Sequence, residues 1–446
     1  MIDVATDFRR GAVRLAWIIV TVLAIYIPLR FFLIDYGPLA FTPVHLGRVA
    51  SLAFRFGTDI LVVVLVACLW AAKGIKGFRF QWIDYAVLLF VLVSFLSMVV
   101  NHTSFLRFGA TMRGLFVVYV VGFVMARLPV DAVWLRRAMW ASGVTLGLIL
   151  FVGFLQALGW PEPKAWIEAL TGINAGRIMS LLENPNTLAS YLVIMFFLGI
   201  LVLPEKHRPW MAAILPVLYY TFSRSGWLGF VVGLIAAWRL LPWRQWAKIL
   251  GIGAIITALI VVVNLTFGPP LAHLGFGEHL GANPFNRVTK TLSQREIGNS
   301  MFNGRLFILK IALNTVKERP LLGYGSGTFG GGGTVVKDLA KRYHMPTDMY
   351  SDSQYNRIII ETGLLGFLSF GLIHLVLLWK SWKAGGKIRY AGLALILAIV
   401  VMDAFNNLWE LQQVMFPFWM LAALSYLRRD GWSLGERSES SKPGIG

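Results

Sequence analysis

Apolar residues in this chain run in unbroken blocks, without the two-residue alternation of a strand or the one-faced stripe of a soluble helix. A helix needs about 20 apolar residues to cross a hydrocarbon layer of about 30 Å. Blocks of that kind cover residues 13–34, 54–72, 83–100, 109–128, 138–158, 188–203, 210–222, 225–238, 249–265, 355–378, 390–405 and 414–427. The pattern predicts an all-α, polytopic integral membrane protein with about twelve transmembrane helices. The seventh and eighth blocks are short and meet at Ser223-Arg224. They count as two of the twelve spans, or alternatively form a broken or re-entrant pair, a form tolerated at membrane depth only where protein or water surrounds it. The first block is too long, and lacks the small-residue cleavage site, for a removable signal peptide.

Charge orients these helices. Arg9, Arg10 and Arg14, then Lys73, Lys76 and Arg79, then Arg127, Arg136 and Arg137 fall in alternate connections. The same side collects Lys206, Arg208, Arg239, Arg244, Lys248, Lys380, Lys383, Lys387, Arg389, Arg428 and Arg429. The positive-inside rule makes that side, and both termini, cytoplasmic. Residues 1–267 then hold nine helices, 268–353 form one large external (periplasmic) loop, 354–429 hold three more helices, and 430–446 read as a disordered cytoplasmic tail. The loop carries ten cations, Arg287, Lys290, Arg295, Arg305, Lys310, Lys317, Arg319, Lys337, Lys341 and Arg342; a solvated surface, anionic lipid or an anionic substrate would each account for them. Within it, residues 303–316 are helical in pattern, with Leu306, Leu309, Ala312 and Leu313 on one face and Pro320 as the stop, as for a helix lying on the membrane surface.

Composition narrows the function. Charged residues make up 14% of the 446, against about a quarter in soluble proteins, which excludes a soluble enzyme. Long blocks exclude an outer-membrane barrel. The net charge of +19 sits in membrane-flanking segments, so nucleic acid is not the expected partner. One cysteine, Cys68, permits no intramolecular disulfide, and no HExxH or clustered histidine appears among the seven, so metal-independent chemistry without a cofactor is expected.

Ionisable residues at the membrane edge are costly and therefore candidates. Arg224 follows Ser223 and precedes Ser225-Gly226, so it either snorkels to lipid phosphate or, with backbone N–H groups at a helix start, forms a diphosphate site. Arg305, after Asn303-Gly304, offers the same fork or simple solvent exposure. Asp352 in Tyr350-Ser351-Asp352-Ser353-Gln354-Tyr355 is a helix N-cap, and a carboxylate there can also accept a proton from a sugar hydroxyl. His344 is the alternative base, and Glu361, nine residues beyond Asp352, is expected to bond a neighbouring helix more readily than to react. Asn184 and Asn186 around Pro185 read as helix entry or sugar contacts, and Trp160, Trp166, Tyr343 and Tyr350 as sugar platforms or interface aromatics. The run from Tyr324 into Gly330–Gly333 lacks the Lys-Ser/Thr of a nucleotide loop.

In this order, Asn184-Pro185-Asn186, Thr221-Phe222-Ser223-Arg224, Gly304-Arg305, Pro320-Leu321-Leu322-Gly323-Tyr324-Gly325 and the block from Asp352 through Tyr355 to Glu361-Thr362-Gly363-Leu364-Leu365-Gly366 resemble the O-antigen ligase and O-antigen polymerase superfamily. The resemblance covers about 177–370. It implies a glycosyltransferase of the bacterial inner membrane with its active site facing the periplasm. Its donor and acceptor would be undecaprenyl-diphosphate-linked glycans, with membrane lipids and a chain-length regulator as further partners. Catalytic roles then fall to Asp352, Arg224 and Arg305, with the two arginines on the diphosphate. Substrate contacts fall to Asn184, Asn186, Ser223, Tyr324, His344, Tyr355 and Glu361. Family ligases commonly carry histidine where this chain has Asp352, which points to the polymerase branch. A ligase acting on lipid A-core or a protein, and a flippase of lipid-linked glycans, are the alternatives.

Overall fold

The structure is a computed structural model that describes residues 4–33, 44–158, 177–271, 304–329, 335, 337–345, 347 and 351–425. Trp160, Trp166, Tyr350, Arg287, Lys290, Arg295 and the tail 430–446 lie outside them. The helices are α1 (Val4–Phe31), α2 (Val44–Lys73), α3 (Trp82–Val100), α4 (Phe105–Met125), α5 (Ala132–Ala157), α6 (Pro185–Val202) and α7 (Ile214–Tyr220). They continue with α8 (Arg224–Ala237), α9 (Trp243–Leu271), α10 (Arg305–Glu318), α11 (Lys337–Arg342), α12 (Gln354–Ala384), α13 (Gly386–Asp403) and α14 (Gln412–Ser425). Among the described residues the β contacts amount to one isolated bridge, Phe329 with Val335.

Each of the twelve apolar blocks falls on a helix. Among the described residues, eight helices, α1 to α6, α9 and α12, are long and apolar enough to cross a membrane. The fold is therefore an all-α, polytopic membrane bundle. Its outer faces are apolar, as with Leu88, Leu92 and Val99 on α3 or Ile255, Leu259 and Val262 on α9, a surface suited to lipid and not to water. Trp17, Tyr191, Phe196, Phe197, Trp409 and Trp419 fill the interior.

At one end of the bundle, Asp84 closes the start of α3 by accepting from the Gln81 N–H, and it also holds the Tyr119 hydroxyl and the Arg127 guanidinium. Arg127 is one of the cations that the charge pattern assigns to the cytoplasmic side. It is buried, because Asp84 and the Arg79 carbonyl satisfy its donors inside the protein. Arg9, Arg10, Arg14 and Lys73 surround a cavity of about 480 Å³ at the meeting of α1, α2 and the start of α5.

At the other end, two packing devices place the site. The first is a stripe of small residues on α8, where Ser225, Gly229, Gly233 and Ala237 recur every four positions and are all buried. Without side chains at 229 and 233, α8 closes on α13: a Cβ at Gly229 would meet Met402 Cγ at 2.6 Å and the Ala398 carbonyl at 3.3 Å, and one at Gly233 would meet Phe197 at 2.4 Å and the Ala394 carbonyl at 3.4 Å. Such small-residue stripes let helix backbones approach in a bilayer, where no hydrophobic drive favours helix over lipid.

The second device is a backbone interlock. α12 breaks at Gly363 (φ 64°, ψ −161°), which frees hydrogen-bonding groups on both sides. The segment after α10 takes them up. Tyr324 and Gly325 N–H donate to the Ile360 and Glu361 carbonyls at 2.9 and 3.0 Å, and Leu364 and Leu365 N–H donate to the Pro320 and Leu321 carbonyls at 2.7 and 3.2 Å. Gly323 (φ 61°) and Gly363 face each other so closely that a Cβ on either would lie 2.5 Å from the other strand's backbone. Ser97 on α3 ties both segments by donating to the Leu322 and Glu361 carbonyls.

α10 departs from expectation in one respect. The surface helix exists, but Ile308, Ile311, Ala312 and Thr315 are the residues it buries, in a small core with Tyr324, Phe329, Leu339 and Ile360. Leu306, Leu309 and Leu313 point outward. The helix is apolar on two faces, so the hydrophobic pattern alone did not say which one the protein covers.

Candidate functional site

Of the two forms the sequence allows at Ser223-Arg224, the structure has the break. α7 ends at Tyr220, Phe222 adopts φ 46°, and Ser223 caps α8 by accepting from the Gly226 N–H at 3.3 Å. Asn186 holds the break from the neighbouring helix start: its Oδ1 accepts from the Ser223 hydroxyl at 3.0 Å and from Arg177 at 2.7 Å, while Arg177 also donates to the Thr221 carbonyl at 2.8 Å. Asn184 caps α6 by accepting from the Asn186 and Thr187 N–H groups. Arg224, the first residue of α8, is exposed. α8 has only 14 residues, about 21 Å at 1.5 Å per residue, shorter than a 30 Å hydrocarbon layer. A helix start with a guanidinium on it has the chemistry that suits an anion.

Across from it, Arg305 and Asp352 pair. The Nε to Oδ2 distance is 3.6 Å, an ion pair too long for a hydrogen bond, with side chains 36% and 54% exposed. Both groups thus keep open faces for a ligand. Surrounding protein thins the water around Asp352 and raises its pKa above the ordinary aspartate value, while Arg305 pulls it back. Helix α12 is capped by Ser353, which accepts from the Asn356 N–H, and so Asp352 is left free of the capping duty anticipated for it.

The turn between α13 and α14 joins these groups. Arg305 lies 5.7 Å from the Phe405 ring and donates to the Phe405 carbonyl at 3.4 Å. Asn406 donates to Ser225 Oγ at 2.9 Å, beside Arg224, and Asn407 donates to the Ser351 carbonyl, beside Asp352, at 2.5 Å. The turn is braced from below. Asp403 accepts from Trp409 Nε1 at 3.0 Å and stands 3.5 Å from His374, and Glu410 lies 2.5 Å from the buried Arg357. None of these residues stood out in the sequence, where Asn406-Asn407 reads as ordinary turn chemistry.

The remaining candidates lie behind the site. Glu361, buried, accepts from the Phe329 N–H at 3.1 Å and faces Arg357, so it bonds the interlocked loop instead of a neighbouring helix and presents no open surface to substrate. Tyr324 is also buried. Its hydroxyl donates to Glu318 at 2.5 Å and meets Tyr343 at 3.0 Å. Arg342 completes that cluster, and the Tyr324 and Arg342 bonds together hold Glu318 below the usual carboxylate range. Tyr355 donates to the Val400 carbonyl at 2.8 Å and packs on Phe367. His344 is exposed at the end of α11 with φ 51°, and no described contact joins it to Asp352. Among the described residues no three His, Cys, Asp or Glu side chains gather as a metal-ligand set.

The geometry meets a family comparison here. No curated protein matches the chain. Residues 209–371, about a third of the chain, match the family described as O-antigen ligase. The matched stretch runs from the approach to α7 into α12 and includes Ser223, Arg224, Arg305, Tyr324, His344, Asp352 and Glu361; Asn184, Asn186 and the 405–407 turn lie outside it. That segment holds the helix break, the ion pair and the interlocked glycines in one order, and its match supports the resemblance to the O-antigen ligase and polymerase superfamily.

Proposed function

We propose that this protein is a membrane glycosyltransferase that polymerises undecaprenyl-diphosphate-linked repeat units. The observation that carries the reading is the open Arg305–Asp352 pair beside the start of α8. Asp352 in place of the histidine common in family ligases favours polymerisation. The cation-rich end at Arg9, Arg10, Arg14 and Lys73 is cytoplasmic by the positive-inside rule, which puts the site on the external side.

In this mechanism a sugar hydroxyl of the incoming lipid-linked repeat attacks the anomeric carbon of the growing chain. The new C–O bond forms as the bond to the diphosphate breaks, and undecaprenyl diphosphate departs. Asp352 accepts the hydroxyl proton, a contribution of about 10²–10⁴ in rate. Arg224, the α8 N–H groups and Arg305 stabilise the charge gathering on the diphosphate, each such donor contributing on the order of 10²–10³. An ion pair that is loose before substrate arrives suits this chemistry, since Arg305 can turn to phosphate and leave Asp352 to the hydroxyl.

The test is turnover of purified protein on lipid-linked repeat units, with and without a lipid A-core acceptor. Lengthening without core is expected. Transfer only when core is present would replace the reading with the ligase one. Asp352→Asn and Arg305→Lys should each lose most activity, the second because a point charge cannot replace a two-pronged donor on phosphate. Loss of lipid flipping in these variants, without any glycan product from the wild type, would assign transport instead.

A further inference from the structure

The turn at Phe405–Asn407 lies outside the matched family segment, yet it touches each of the three places where the proposed chemistry sits. Phe405 supplies both a carbonyl and a ring to Arg305. Asn406 is 7% exposed and Asn407 is 2% exposed, so neither amide is placed to bind a sugar directly. Each spends its N–H on the residue adjacent to a charged site group: Ser225 next to Arg224, and Ser351 next to Asp352. The turn itself is held firmly from the protein side by Asp403 with Trp409 and by Glu410 with Arg357. A ledge fixed below and bonded above to three separate chain segments sets their spacing.

We propose that Asn406 and Asn407 are positioning residues with separable duties: Asn406 sets the α8 start against the donor diphosphate, and Asn407 sets Asp352 against the attacking hydroxyl. This rests on the glycosyltransferase reading above and adds residues that the family match does not contain. The two amides therefore divide binding from chemistry. Loss of Asn406 relaxes the anion site while the base stays in place. Loss of Asn407 loosens the Ser351–Asp352 segment while the anion site stays in place.

The experiment measures affinity for undecaprenyl diphosphate and turnover of lipid-linked repeats in the full-length purified protein. Asn406→Ala should weaken undecaprenyl diphosphate about five- to tenfold, the scale of one lost hydrogen bond in a buried site. Ser225→Ala should weaken it at least as much, because Ser225 Oγ also lies 3.2 Å from Ser223 Oγ, and the double variant should be no weaker than Ser225→Ala alone, since the Asn406 bond is the one they share. Asn407→Ala should keep donor affinity and lose kcat by roughly tenfold or more, as expected for a misplaced catalytic group. Asn406→Ser and Asn407→Ser, which keep a small donor, provide the same comparison if an alanine variant does not fold. Equal loss of affinity and kcat in both variants, or additive effects of Asn406→Ala and Ser225→Ala, would overturn the assignment. So would wild-type values in either variant. If the wild-type protein binds undecaprenyl diphosphate and these outcomes fail, the turn assignment alone falls; if it neither binds the lipid nor turns over repeats, the functional reading falls with it.

Discussion

At the residue scale, the pairing of Arg305 with Asp352 makes a definite pH claim. Burial raises the Asp352 carboxyl and Arg305 lowers it, with burial the larger influence. A general base must be ionised to act, so the rate should fall on acidification through a pKa above the ordinary aspartate value near 3.9. Removing Arg305 removes the opposing influence, so residual activity in Arg305→Ala should show its acid limb at higher pH than wild type. Asp352→Asn should show no such limb. The measurement is kcat against pH for the three proteins; an acid limb that survives unchanged in Asp352→Asn would move the base elsewhere, with His344 the candidate to examine. Arg224, Arg305 and Asp352 were legible because charge at a membrane edge is conspicuous. Asn406, Asn407 and Arg357 were not, because their importance comes from partners 53 or more residues away: Ser225, Ser351 and Glu410.

At the element scale, the break in α12 explains two glycine-bearing stretches that had looked like weak motifs. Gly323 and Gly363 lie at positive φ and press backbone on backbone. Alanine at either position combines an unfavourable conformation with a clash, for a cost of about 2 kcal/mol or more. Gly363→Ala should therefore unfold at lower temperature than wild type in detergent, and Gly371→Ala, where a Cβ would meet nothing within 4 Å on the same helix, should not. Equal stability of the two would deny the interlock its structural role. Sequence marked both glycines but could not pair them, since the need for φ > 0 arises only when the second segment arrives. The broken pair α7–α8, by contrast, was readable from length alone, as two blocks each too short to span. The covered face of α10 was not readable, because both of its faces are apolar.

At the scale of the whole molecule, the bundle separates its charges. Cations ring the cavity formed by α1, α2 and α5 at one end, and the site opens at the other among α6, α8, α12 and the 405–407 turn. By the positive-inside rule we propose that the cation-rich end meets the cytoplasm. In intact spheroplasts of a strain expressing single-cysteine variants, a membrane-impermeant thiol reagent should label His344→Cys and leave Lys76→Cys unlabelled until the membrane is opened. The reverse pattern would invert the molecule and remove the site from the side where the growing glycan is expected. The apolar helical blocks were the most legible feature of the chain, because hydropathy acts segment by segment. The convergence of the site was the least legible, because it is set by helix packing, above all by the small-residue stripe that brings α8 against α13. The most direct test of the whole account is an experimental structure with undecaprenyl diphosphate bound. The diphosphate should lie between the start of α8 and Arg305, touching Arg224 and within one sugar's reach of Asp352; a diphosphate held elsewhere, or an Arg224 turned away from it, would contradict the account.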